Sequence, residues 1–160
     1  MAVSGRDGAI LHVVLYQPQI PQNTGNIART CAAVGAALHL VEPLGFAVTD
    51  SAVRRAGLDY WSEVRVRTHA GLEPVLAAAG AAGEQLVLLS THGTRPYTRF
   101  RYRHGCYLLF GNETADLRAR HRSATARIPM RPGLRSLNLA NSVAVVVYEA
   151  LRQLAPPHLS

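Results

Sequence analysis

Residues Ile128–Leu151 read IPMRPGLRSLNLANSVAVVVYEAL, and how this stretch folds decides the class of the whole chain. It starts as the end of a buried strand, breaks at Pro129, Pro132 and Gly133, and then turns periodic. Val143, Val145, Val146 and Val147 are β-branched, and propensity alone favours a strand there. Against this, Leu139, Val143, Val146, Ala150 and Leu154 follow helical spacing, and Ser136 or Asn138 can cap the start. The run is also long enough for about four helical turns. We therefore read Asn138–Leu154 as a helix. One this apolar needs cover on more sides than a single sheet face gives, which points to a dimer interface. Its start also carries Arg135, Ser136, Asn138 and Asn141, more hydrogen-bonding side chains than capping requires.

Working outward, apolar strands alternate with helices. Strands are expected at Ile10–Tyr16, Ala37–Val41, Val64–Thr68, Gln85–Ser90, Cys106–Phe110 and Ala126–Pro129. A first helix follows the loop Gln17–Asn23, with Ile27, Cys31 and Val34 on one face and Gly35 as its stop. Ser51–Ala56 and Gly71–Ala79 are also helical. The alternation predicts an α/β fold: a mainly parallel six-stranded sheet with helices on both faces. Residues 1–8 form a flexible extension, 9–154 a single domain and 155–160 a tail. Ligands of such sheets bind beyond the carboxyl ends of the strands. The loops Gln17–Asn26, Thr91–Thr94, Gly111–Glu113 and Pro129–Ser136 all follow strand ends and are expected on one rim.

The 160 residues are 48% hydrophobic and 17% charged, the balance of a globular protein. No apolar run approaches the ~20 residues of a membrane helix, and the N-terminus has no apolar signal core. Cys31 and Cys106 sit inside apolar patterns without metal-ligand spacing, as reduced core residues of a cytoplasmic protein do. The formal charge is +7, and all 17 basic residues other than histidine are arginine. Arginine forks onto phosphate and stacks on bases, so this balance favours a nucleic-acid partner. A codon bias towards arginine would explain the choice of residue but not the excess of positive charge.

Four clusters carry candidate chemistry. Pro21–Arg29 places Asn23, Gly25 and Asn26 at a strand-to-helix turn, where caps and backbone donors suit a phosphate or ribose. Arg29 lies about 200° around the helix from Ile27, away from the apolar stripe and free to meet a ligand. An ordinary capped helix with a solvated arginine has the same pattern. The small polar turn Leu89–Thr94 suits an adenine or ribose and is equally a routine loop. Arg95–His104, RPYTRFRYRH, interleaves arginines with Tyr97, Phe100 and Tyr102, a mixture suited to single-stranded or looped RNA unless the aromatic rings pack inward. Arg54, Arg55, Tyr60 and Trp61 repeat it more sparsely. Finally, Gly111 allows close backbone approach beside the carboxylate of Glu113. A turn plus a capping cluster explains Ser136 and Asn138 but neither Glu113 nor the prolines. No Walker A run, G-x-G-x-x-G, G-x-S-x-G elbow or metal-binding Cys/His spacing is present.

Together these motifs resemble the SPOUT family of knotted RNA methyltransferases, and within it the TrmL-type tRNA 2′-O-methyltransferases acting on the wobble nucleotide. The stretches that carry the resemblance are VVLYQPQIPQNTGNIARTCAAVG, HLVEPLGF, RRAGLDYW, the Thr91–Thr94 turn, LLFGNET and IPMRPGLRSLNLANSVAVVVYEALRQL. The resemblance implies a C-terminal trefoil knot and a homodimer formed through it. It implies S-adenosylmethionine as cofactor, S-adenosylhomocysteine as product, no metal, and the anticodon stem-loop of a tRNA as partner, with no membrane. The cofactor would be held by Leu89, Thr91, Gly93, Gly111, Glu113, Ile128, Met130, Ser136 and Leu137. Arg29, Asn138 and Tyr148 would be catalytic. Asn23, Asn26, Arg29, Arg54, Arg55, Arg95 and Arg135 would meet the RNA. One departure stands out: where the family continues with glycine, leucine and proline, this chain has Asp116, Leu117 and Arg118. Two other readings stay open at this point. One is 2′-O-methylation of a different RNA; the other is a non-catalytic RNA-binding dimer with cofactor binding weakened at Asp116.

Overall fold

The computed structural model describes residues 8–49, 51, 55, 60–111 and 115–159. Seven strands are present: β1 Leu11–Tyr16, β2 Ala37–Val41, β3 Val66–His69, β4 Leu86–Leu89, β5 Arg95–Pro96, β6 Cys106–Gly111 and β7 Thr125–Arg127. They form one sheet in the order β3-β2-β1-β6-β4-β7-β5, and every pairing is parallel. Four helices are described: α1 Pro21–Val34, α2 Leu72–Ala81, α3 Ala115–Arg120 and α4 Leu139–Leu154. The α/β class is as expected, but the sheet has seven strands rather than six. The additional one, β5, is a two-residue edge strand in the Arg-Pro pair, too short to leave a periodic trace.

The sheet is buried on both faces, as parallel sheets are. On one face Val13, Leu15, Leu38, Leu40, Leu108 and Phe110 meet Ile27 and Cys31 of α1 and Val143, Val146 and Val147 of α4. On the other, Val14, Val41, Leu88 and Leu109 meet Val75 and Ala79 of α2 and Leu117 of α3. This settles the contest over the valine run. Val143, Val146 and Val147 are fully buried, and each such burial is worth about 1.5–3 kcal/mol, against a helix-propensity penalty of at most ~0.7 kcal/mol per residue. Packing wins, and Asn138 rather than Ser136 is the cap.

Three local expectations change. The first helix begins at Pro21, so Asn23, Gly25 and Asn26 lie inside it rather than in a preceding loop. Ile20 is its N-cap, without a side-chain cap bond, and Pro21 supplies a helical φ at the first turn. The helix α3 was not among the expected elements. The helix expected at Ser51–Ala56 lies mostly outside the described residues; Ser51 and Arg55 are helical. Gly35 does end α1 in the left-handed region, with φ 80°.

Free Cys31 and Cys106 are both buried, and burial pushes each thiol up to about 12. Neither is a nucleophile at neutral pH. Among the described residues no helix is long and apolar enough to cross a membrane.

Histidines on three neighbouring strands form a hydrogen-bonded row on the α2 side of the sheet. His12 Nδ1 lies 2.9 Å from His39 Nε2, and His39 Nδ1 lies 2.9 Å from His69 Nε2. Tyr107 on β6 stacks on His12, with centroids 4.1 Å apart. His12 and His39 are buried, whereas His69 is half-buried at the end of edge strand β3. Burial, followed by the nearby Arg67 guanidinium, holds the His69 pKa below its ordinary 6.5. The unfolded chain therefore takes up this proton first as the pH falls through 6.5, and the folded state loses stability there. The melting temperature is expected to drop between about pH 7.5 and about pH 5.5, and to drop less in His69→Gln. Identical pH dependence in the two proteins would remove His69 from this effect.

Candidate active site

The carboxyl ends of β1, β4, β6 and β7 open into a cleft of about 570 Å³. The loop after β1 contributes Gln17, Gln19 and Ile20; the end of β4 and its loop contribute Leu89, Ser90 and Thr91. Gly111 comes from the end of β6, and Ile128, Met130, Arg135, Ser136 and Leu137 from the segment after β7. The expected rim is thus formed by these loops, with Glu113 outside the described residues. Gly111 adopts φ +120°, and a Cβ there would sit 2.5 Å from the Tyr16 carbonyl oxygen of the paired strand. Only glycine lets β1 and β6 run side by side to this point and then diverge at the cleft floor.

A second cleft, of about 560 Å³, lies between α1 and α4. Asn23, Asn26, Arg29 and Thr30 line it from α1; Asn138, Asn141 and Tyr148 line it from α4 and its cap. Helical spacing explains the gathering, since these residues recur three or four apart on each helix. The Arg29 guanidinium carbon lies 4.8 Å from the centre of the Tyr60 ring, which restrains an otherwise exposed side chain. Tyr148 is exposed, at 57%.

Asn23 lines both clefts. The Asn138 amide nitrogen donates to the Asn23 side-chain oxygen at 3.1 Å. Asn138 Oδ1 accepts from the Asn141 backbone N–H at 3.2 Å, and its backbone carbonyl accepts from Ser142 Oγ at 3.1 Å. One residue therefore caps α4, ties it to α1 and fixes the wall between the two clefts.

The three proposed catalytic residues, Arg29, Asn138 and Tyr148, are brought together in the second cleft. Seven of the nine proposed cofactor residues line the first. Gly93 does not line it: a Cβ there would meet the Ala126 carbonyl at 2.6 Å, so this glycine serves close packing against β7. Arg135 joins the first cleft rather than the second. Arg55 lies apart, its Nε donating to the Ser51 carbonyl at 3.4 Å. Arg54 lies outside the described residues, as does the side chain of Asp116. Arg95 lies at the β5 edge, 4.0 Å from the Phe100 ring centre, and lines neither cleft.

The arginine–aromatic segment is corrected in part. Phe100 and Tyr102 are buried, at 4% and 5% exposure. The Tyr102 hydroxyl donates to the Tyr97 carbonyl at 2.6 Å. Gln153 of α4 clamps the backbone here, donating to the Phe100 carbonyl and accepting from the Tyr102 N–H. Those two rings are core, not a stacking platform for bases; Arg99, Arg101 and Arg103 remain exposed.

Residues missed from the sequence are Gln17, Gln19 and Ser142. The glutamines could have been found, because they directly follow the first strand. Arg118, marked in the sequence as a departure from the family pattern, lines the first cleft from α3, a helix that was not foreseen.

The SpoU rRNA Methylase family model matches residues 10–148. The chain belongs to this family. It is 47% identical to the tRNA (cytidine(34)-2′-O)-methyltransferase of Escherichia coli K12 over 92% of this chain and 96% of that one. A solved structure from work on the 2-OH methylation of C/U34 on tRNA superposes with a TM-score of 0.83 at 47% identity, covering 91% of this chain and 96% of that chain. An AdoMet-bound rRNA methyltransferase from Sinorhizobium meliloti superposes at 0.81 with 30% identity, covering 95% of this chain and 59% of that one. The motif resemblance thus holds at family level for this SpoU methylase.

Replacing Asn138 with alanine is expected to destabilise the SpoU-family chain by about 1 kcal/mol through the lost cap, and slightly further through the lost bond to the Asn23 side-chain oxygen. Thermal unfolding of Asn138→Ala, Asn23→Ala and the double variant checks this. The double variant should be more stable than the sum of the single losses implies, whereas strict additivity would contradict the coupling.

Proposed function

We propose that this chain is an S-adenosylmethionine-dependent tRNA 2′-O-methyltransferase acting on the wobble nucleotide, cytidine or a uridine type, in the anticodon loop. The observation that carries the reading is the meeting of two clefts at Asn23, since methyl transfer needs donor and acceptor sites side by side. The relatives that match over nearly their whole length act on tRNA position 34, which favours this substrate over ribosomal RNA.

The first cleft fits the methyl donor. Its volume of about 570 Å³ lies in the range of ligand pockets, ~300–1,000 Å³. Leu89, Ile128 and Leu139 offer an apolar wall for the adenine, and Ser90, Thr91 and Ser136 offer hydroxyls for the ribose. S-adenosylmethionine supplies an electrophilic methyl group there. Glu113, Met130, Leu137 and the Gly111 backbone complete the binding set.

In the second cleft Arg29 orients the ribose 2′-hydroxyl. An arginine holds its proton and is a poor base, so its part is to stabilise the negative charge growing on the oxygen as the proton leaves, with a substrate phosphate as acceptor. Asn138 holds the wall against which the hydroxyl is presented, through its bond to Asn23. Tyr148 presents its exposed ring to the nucleotide, and Asn26 and Arg135 border the RNA path. Arg55 and Arg95 lie farther out, as phosphate contacts for the stem, a role that also falls to Arg54.

The enzyme acts as a cytoplasmic homodimer joined through the knot region. Ile20, Leu134, Leu137 and Val145 are large apolar side chains left exposed, and a second copy would cover such side chains. The trefoil knot finds support in the sheet order. The late strand β7 sits between β4 and β5, so the chain must pass inward beside earlier segments before α4.

Arg29→Ala is expected to lower the rate of methyl transfer to tRNA by at least about 100-fold, while S-adenosylmethionine affinity measured by calorimetry stays within about twofold. Unchanged turnover would exclude Arg29 from the chemistry. A failure of the wild-type protein to bind S-adenosylmethionine would overturn the enzymatic reading itself.

A further inference from the structure

The segment between β5 and β6 carries a row of arginines on a backbone that is held from both sides. Phe100 and Tyr102 are buried in the core, whereas Arg99, Arg101 and Arg103 are exposed. That alternation is the side-chain pattern of an extended chain, and the Phe100 backbone is extended, with φ −88° and ψ 144°. No strand of the described residues pairs with this segment. Two glutamine side chains take the place of such neighbours. Gln153 Nε2 donates to the Phe100 carbonyl at 2.9 Å, and its Oε1 accepts from the Tyr102 N–H at 3.0 Å. On the opposite edge Gln85 Nε2 donates to the Arg101 carbonyl at 2.8 Å, and its Oε1 accepts from the Arg103 N–H at 2.9 Å. Clamped on both edges, with alternate rings in the core, the segment presents its arginines outward at intervals of about 6.6 Å. Two described carboxylates lie nearby. Glu84 sits against Gly105, just beyond Arg103, and Glu149 is engaged by Arg152 and Gln153.

We propose that Arg99, Arg101 and Arg103 form a rail that binds consecutive phosphates of one RNA strand. A guanidinium fork can bond two oxygens of a phosphate, and a backbone fixed in advance loses less freedom on binding. The interval between these arginines is of the same order as the step between phosphates along a strand. Gln153 fixes the rail from the last turn of α4, about 22 Å along the helix axis from Asn138. A stacked strand advancing ~3.4 Å per nucleotide covers that span in about six nucleotides. The rail therefore meets the RNA that flanks the target nucleotide, and it holds backbone without reading sequence. This rests on the reading of RNA as the substrate, and not on the assignment of the two clefts.

The test is fluorescence anisotropy with a labelled tRNA transcript over a salt series, without methyl donor, on the wild-type protein and on Arg99→Gln/Arg101→Gln/Arg103→Gln. Three lost phosphate contacts should make the slope of log affinity against log salt shallower by about two to three, and weaken binding at physiological salt by about 10- to 100-fold. In turnover the loss should appear as a raised KM for tRNA, with kcat, S-adenosylmethionine affinity and the methylated position unchanged. The triple lysine variant keeps the point charges; it should restore most of the slope, and serves if the glutamine variant does not fold. Arg65→Gln/Arg67→Gln removes charge at β3, the opposite edge of the sheet, and should change the slope by less than about one. An unchanged slope in the glutamine variant, or an equal loss in the β3-edge variant, would overturn the rail while leaving the proposed methyl transfer standing. Loss of self-association in the glutamine variant on sedimentation would assign the segment to a contact between copies, and would also overturn it. Rail-dependent RNA affinity in a protein that methylates no tRNA would instead remove the proposed function and keep the rail.

Discussion

The Asn138 amide holds together the region where the two clefts meet. It caps α4, donates to Asn23 on α1, and through Asn23 forms the wall shared by the two clefts. Each bond alone is modest, roughly 0.5–1.5 kcal/mol. Their importance is geometric: α1 carries Arg29, α4 carries Tyr148, and the segment before α4 supplies Ser136 and Leu137 to the donor cleft. If the helices were free to slide, the three groups would lose their mutual placement, and methyl transfer depends steeply on such placement. The buried valines of α4 supply the energy that holds the helix on the sheet, and Asn138 sets its register.

Much of this was legible because the relevant signals are local. The apolar strands β1, β2, β4 and β6 are continuous runs, as a doubly covered parallel sheet requires, and Gly35 marks the end of α1. The site on the carboxyl rim followed from the alternation of strand and helix. What failed was also local. Pro21 starts α1 earlier than the asparagines suggested, because a proline at the first turn needs no side-chain cap. The pair Arg95–Pro96 becomes a strand only because β7 lies beside it, a long-range fact with no periodic trace. The helix α3, which brings Arg118 to the first cleft, also left no clear trace.

The arginine excess takes a more definite form in the structure. A segment mixing arginines and aromatic rings suggested a stacking surface, but Phe100 and Tyr102 are core residues held in place by Gln153. The exposed cations are therefore available for attraction through charge, which salt screens. Under the proposed function, specific contact with the nucleotide falls to the cleft between α1 and α4, where Arg29 is restrained by Tyr60. General attraction and precise positioning thus fall to different parts of the surface.

The central claim, that two clefts meeting at Asn23 serve donor and acceptor of one methyl transfer, is tested most directly by mapping the product. The purified protein would be incubated with S-adenosylmethionine and unmodified tRNA, and the RNA digested and analysed by mass spectrometry. The account predicts a single added methyl group on the ribose of nucleotide 34, the position on which its relatives act. A methyl group on a base, at another position, or none at all despite bound cofactor and RNA, would contradict it.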